Sequence, residues 1–138
     1  MLKESPPQPT VLIVDRDLGL LFWLGAIFTK AGCRTIPAFD CGQAVSLMRK
    51  LGVQLALVVV SPELVEVAWM IRTLRLSNGH FSVVTIADDD TDADSTIQAK
   101  MTLKRPRVGE SISGEDWLDR VQEVLRLRYT YTGTERNV

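Results

Sequence analysis

The sequence predicts an α/β fold: a three-layer sandwich in which a five-stranded, doubly wound parallel sheet lies between five helices. Three observations carry this. Short β-branched apolar runs such as Val11-Leu12-Ile13-Val14 and Leu57-Val58-Val59-Val60 read as strands buried on both faces, which is the habit of parallel sheets. Longer segments between the runs begin at capping acids and stop at glycine, which marks helices. The chain is 138 residues long and 46% apolar, enough for one domain with a core of its own. Strands alternating with helices imply right-handed crossovers within one sheet.

The elements follow in order. Residues 1–9 hold Pro6, Pro7 and Pro9 and are read as a loose leader. Thr10–Asp15 is the first strand. Asp17 caps a helix that runs to Lys30, with Gly32 as its stop. Cys33–Ala38 is the second strand, Asp40–Leu51 the second helix with Gly52 beyond it, and Leu55–Val60 the third strand. Ser61-Pro62-Glu63 reads as an N-cap with proline at the first helical position, opening a helix to Leu76 that Asn78-Gly79 breaks. Phe81–Ala87 is the fourth strand. Asp88–Asp94 starts a weak helix reaching Ala99, and Met101–Lys104 is the fifth strand, ended by Pro106. Gly114–Arg128 is the last helix, with Trp117, Val121, Val124 and Leu125 on one stripe. The domain therefore spans 10–128, and 129–138 form a polar tail.

Composition narrows the function. A net charge of −1 gives no sign of a nucleic-acid or anionic-membrane partner. No run reaches about 18 apolar residues, so no membrane-spanning helix is expected. The N-terminus lacks the regions of a signal peptide. The two cysteines, Cys33 and Cys41, are not in a CxxC pair, and there is one histidine. This speaks against a disulfide framework or a zinc site and for a reducing cytoplasm.

Several patterns in order resemble response-regulator receiver (CheY-like) domains over residues 10–127. Val11-Leu12-Ile13-Val14-Asp15 looks like the first strand of that family. Ala38-Phe39-Asp40-Cys41-Gly42-Gln43-Ala44-Val45 is similar to its Ala-x-Asp-Gly-x-Glu-Ala-Leu, with Cys41 for glycine. Ile71-Arg72-Thr73-Leu74-Arg75 resembles the end of its third helix, and Ala99 with Leu103-Lys104-Arg105-Pro106 the stretch around its fifth strand. The resemblance implies a flavodoxin-like architecture and a place in two-component phosphorelay signalling. A working receiver holds Mg²⁺ on acids after the first strand, since that cation takes oxygen ligands. It uses an aspartate at the end of the third strand as nucleophile, with a Thr or Ser after the fourth strand and a Lys after the fifth against the phosphoryl group.

Aligning the strands puts Asp15 on the first acid and Arg16 on the second, with Asp17 one residue on. Val59 falls on the phosphoacceptor, Ile86 on the Thr/Ser position with Thr85 one residue early, and Arg105 on the Lys position with Lys104 beside it. Valine cannot attack phosphorus, so the resemblance implies a degenerate receiver, a pseudo-receiver without the usual reaction.

Plainer readings stand beside each candidate. Ser61 could be a displaced phosphoacceptor, but a helix cap is the simpler reading. Asp15 could bind metal with Asp17, or accept a hydrogen bond or pair with Arg16, Lys104 or Arg105 as a relic. Asp88, Asp89, Asp90, Asp92 and Asp94 lack EF-hand spacing and read as a solvated loop. Cys33 and Cys41 read as small buried hydrophobes. Leu18–Phe28 has no charged or hydrogen-bonding side chain besides the Trp23 indole. A helix lying on a sheet needs an apolar stripe, not an apolar cylinder, so either the chain's own tail covers the outer face or a partner or second copy does, with Leu20, Trp23 and Ile27 as the expected contact surface.

The expectation is a non-enzymatic, cytoplasmic protein–protein interaction module in signalling, without cofactor or metal, and a homodimer through its first helix. Two alternatives remain: a regulator phosphorylated at Ser61, and a flavodoxin-like small-ligand-binding domain.

Overall fold

The computed structural model describes residues 8–87, 99, 101–104, 119, 120, 122, 123 and 125. The elements run β1 (Thr10–Val14), α1 (Leu18–Lys30), β2 (Arg34–Ala38), α2 (Cys41–Leu51), β3 (Leu57–Val60), α3 (Val67–Asn78), β4 (Ser82–Ala87) and β5 (Met101–Lys104). The sheet order is β2-β1-β3-β4-β5, every pair parallel. The five strands are those the sequence predicts, with ends shifted by a residue or two. Three helices lie among the described residues rather than five. The expected helix after Asp88 lies outside them. Residues 119, 120, 122, 123 and 125 are helical, within the span expected for the last helix.

The all-apolar strands divide by parity, because successive side chains point to opposite faces. Leu12, Val14, Val58 and Val60 face α2 and α3, against Ala44, Met48, Met70 and Leu74. Val11, Ile13, Leu57, Val59, Val84, Ile86 and Leu103 face α1 and Leu125. Burial on both faces explains why β1 and β3 read as continuous apolar runs.

Local chemistry sets the helix ends. The Asp17 carboxylate accepts from the Leu20 N–H at 3.2 Å and starts α1. Asp40 accepts from Gln43 N–H at 2.7 Å, and the Gln43 side chain returns to the Phe39 N–H, a reciprocal cap like a capping box. Gly52 closes α2 at φ 62°, ψ 26°, a left-handed position that costs a Cβ-bearing residue about 1 kcal/mol or more. After α3, the Arg75 guanidinium lies 5.4 Å from the Phe81 ring centroid, close enough for a cation–π contact across the α3–β4 turn.

α3 departs from expectation. It begins at Val67, not at Pro62, and Ser61 does not cap it. The Leu64 N–H donates to the Ser61 carbonyl at 3.3 Å, so 61–64 form a turn with Pro62 at its second position. Proline's fixed φ suits that position as well as it suits a first helical residue. Glu66 then takes φ 71° and the helix starts after it.

Cys41 occupies the first turn of α2 and is buried. Burial, with Asp40 and Glu66 adding to it, raises its thiol from 9.0 to about 11. The folded chain therefore keeps this proton where the unfolded chain has lost it. The thiol's contribution to stability is complete below about pH 9 and fades as pH rises toward 11. Unfolding free energy measured by urea titration should thus drop more steeply between pH 9 and 11 in the native sequence than in Cys41→Ala. Parallel pH profiles would remove this assignment.

Candidate functional site

The chain winds from β1 outward to β2 and then back across to β3. Between β1 and β3 the order reverses, and in open α/β sheets ligands bind outside the strand ends at such a switch point. Val14 pairs with Val60, so Asp15 and Ser61 emerge side by side. They line a cleft of about 350 Å³ with Arg16, Asp17, Glu63, Leu64 and Val65.

Asp15 is 4% exposed. Its carboxylate accepts from the Asp17 N–H at 2.8 Å, and its own N–H donates to the Ala38 carbonyl at 3.1 Å. The first bond is an Asx turn: it folds the chain over the end of β1 and places Asp17 to cap α1. Ser61 is 3% exposed, held by its N–H to the Val14 carbonyl at 3.3 Å. Arg16, Asp17 and Glu63 are exposed on the rim. Among the described residues, no group of three or more His, Cys, Asp and Glu is placed to hold a metal ion.

The remaining sequence candidates do not meet in this cleft. Val59 is fully buried, on the α1 side with Ile13 and Val84. Its side chain is inside the core, while Ser61, two residues on, reaches the cleft. Ile86 is buried in the same cluster. Thr85 is fully buried, and its hydroxyl is 2.8 Å from that of Thr102 on β5, a cross-strand pair rather than a group aimed at the cleft. Lys104 ends β5 opposite Ala87. Arg105 and the acidic run from Asp88 to Asp94 lie outside the described residues. Glu63, Leu64 and Val65 were missed as cleft residues because they were assigned to a helix; the Ser-Pro turn signal was the cue that could have found them.

The expected contact surface also moves. Leu20 and Ile27 are buried in the core with Leu21, Leu24 and Phe28, and Trp23 packs half-buried against the same cluster. The large apolar side chains that α1 leaves in solvent are Leu18 at 58% and Phe22 at 81% exposure. A helix apolar on every side carries no periodic signal telling inner from outer face.

No protein-family model matches the sequence, and no curated protein does. Solved structures do. A CheY-like response-regulator receiver domain protein from Methanospirillum hungatei superposes with a TM-score of 0.69 at 14% identity, over 91% of this chain and 99% of that one. The fold is that of response-regulator receiver domains. A response regulator from Thermotoga maritima gives 0.69 at 22% identity, covering 87% of this chain and 99% of the other. CheY in its complex with CheX, BeF3 and Mg from Borrelia burgdorferi gives 0.65 at 20% identity, covering 84% and 88%. At these identities the likeness speaks for the fold. No helix among the described residues is long and apolar enough to cross a membrane.

Proposed function

We propose that the chain is a degenerate receiver: a cytoplasmic, non-enzymatic protein-interaction module in two-component signalling that works without phosphorylation of its own. One observation carries the reading. The end of β3 that faces Asp15 offers Val60 and then Ser61, not a carboxylate. The argument does not depend on how the chain is aligned, because Val59, Val60 and Ser61 all lack the acid. Arg16 adds a fixed positive charge at the mouth of the same cleft, where it repels a divalent cation. Asp15 has a structural duty in the Asx turn, which accounts for an acid there without any metal.

With the reaction gone, the surfaces are what remains to act, and the CheY of similar fold from Borrelia burgdorferi is found in a complex with CheX. Val65 in the turn before α3, and Trp69 and Leu76 on α3, are exposed and are the side chains a protein partner would cover. Self-association through Leu20, Trp23 and Ile27 is not carried forward, since two of the three are core residues.

The test is incubation with acetyl phosphate and Mg²⁺ followed by intact-mass spectrometry. The expected spectrum shows the unmodified chain alone. A phosphoryl adduct would overturn the reading, and its mapping to Ser61 would establish the alternative regulator.

A further inference from the structure

Along the flank of the sheet, away from the cleft, α1 and the edge strand β2 enclose a groove of about 880 Å³, within the range of about 300–1,000 Å³ typical of ligand sites. Its length is apolar: Leu18, Leu21, Phe22 and Ala26 from α1, Pro37 and Phe39 from β2 and the residue after it. Gly25 lies at the middle, where even a Cβ would make only ordinary contact with the Thr35 hydroxyl, at 3.8 Å. α1 runs antiparallel to β2, so Leu18 and Phe39 mark one end and Thr29 and Lys30 the other. Among the described residues, Lys30 is the only charged side chain lining the groove, and no carboxylate lines it.

From this charge pattern we infer that the groove binds a long-chain carboxylate, its alkyl chain laid along α1 and its anionic head at Lys30. A peptide fits the same wall poorly. Its backbone amides would need partners, and β2 offers a proline in place of a donor at position 37. An alkyl chain makes no such demand. It gains by covering Leu18 and Phe22, and a charge-assisted bond to Lys30 fixes its direction. About 12 residues of α1 give a wall roughly 18 Å long. Lys30 also lies in the last turn of α1, where a cation favours the helix dipole, so its substitution has to be read through binding rather than stability. The inference is independent of the signalling role proposed above.

Isothermal titration with decanoate tests it, with acetate and decyltrimethylammonium as the head-only and opposite-charge probes. Decanoate should saturate a single site, acetate should give no heat, and the cationic amphiphile should bind at least about ten-fold more weakly. Lys30→Met should weaken decanoate by about ten-fold, and Ala26→Trp, an exposed position that lines the groove, should abolish it, both with unchanged circular dichroism. Equal binding of the two amphiphiles, or decanoate binding unaffected by Ala26→Trp, would overturn the assignment. So would sedimentation showing a dimer that Phe22→Glu dissolves, because the groove would then belong to a second copy.

Discussion

Phe28→Ala should cost about 3–5 kcal/mol of folding free energy, while Phe22→Ala, in the same helix, should stay within about 0.5 kcal/mol of the native sequence. Phe28 is 1% exposed and packs with Leu24, Ile27 and Cys33 on the α1 side of the sheet. Truncation removes its transfer free energy and leaves a cavity that α1 cannot close, because the Phe28 carbonyl also accepts from Ala31 and Cys33 and anchors the turn into β2. Phe22 is mostly in solvent, so its removal takes little apolar surface out of a buried place. Against a typical total of about 5–15 kcal/mol, the first change leaves a marginal fold and the second leaves it intact. Urea titrations of the two variants decide the point. Equal midpoints would mean that α1 is rotated from the orientation described, with consequences for the groove as well.

That pair of phenylalanines also marks what the sequence can and cannot tell. Where chemistry is local, the reading was accurate: Asp17 and Asp40 cap their helices, Gly52 ends α2, and the valine runs form the central strands. Where two structures satisfy the same local rule, the sequence does not choose. Ser61-Pro62 fits a helix start and a turn alike, and only the Leu64 to Ser61 hydrogen bond distinguishes them. The outer face of α1 was equally hidden, because Leu18–Phe28 is apolar throughout and the tertiary packing alone selects Leu20 and Ile27 for the core. The site suffers most from this. Counting along the chain from one motif to the next led to Val59, whereas the strand register brings Ser61 beside Asp15; a shift of one or two residues is invisible in composition but changes which side chain meets the cleft.

Two aspartate substitutions turn that difference into an experiment. Val59→Asp should destabilise the domain by about 4 kcal/mol or more, because it sets a carboxyl group among Ile13, Val84 and Ile86 with no partner for its charge. Desolvation would raise the new group's pKa. Its folded value would then exceed its unfolded one, so the penalty would shrink as pH falls and the acid protonates. Ser61→Asp should fold, since position 61 lines the cleft, whose lining also includes the exposed Arg16. Its carboxylate would join that of Asp15, and Mg²⁺, which takes oxygen ligands, should raise the melting temperature of Ser61→Asp but not that of the native chain, as expected when a ligand binds only the folded state. The opposite result, a stable Val59→Asp variant that gains stability from Mg²⁺, would place position 59 at the cleft and refute the register described here. Either outcome bears on the proposed function: no carboxylate stands at position 59 or 61, and these variants identify which of the two positions reaches the cleft.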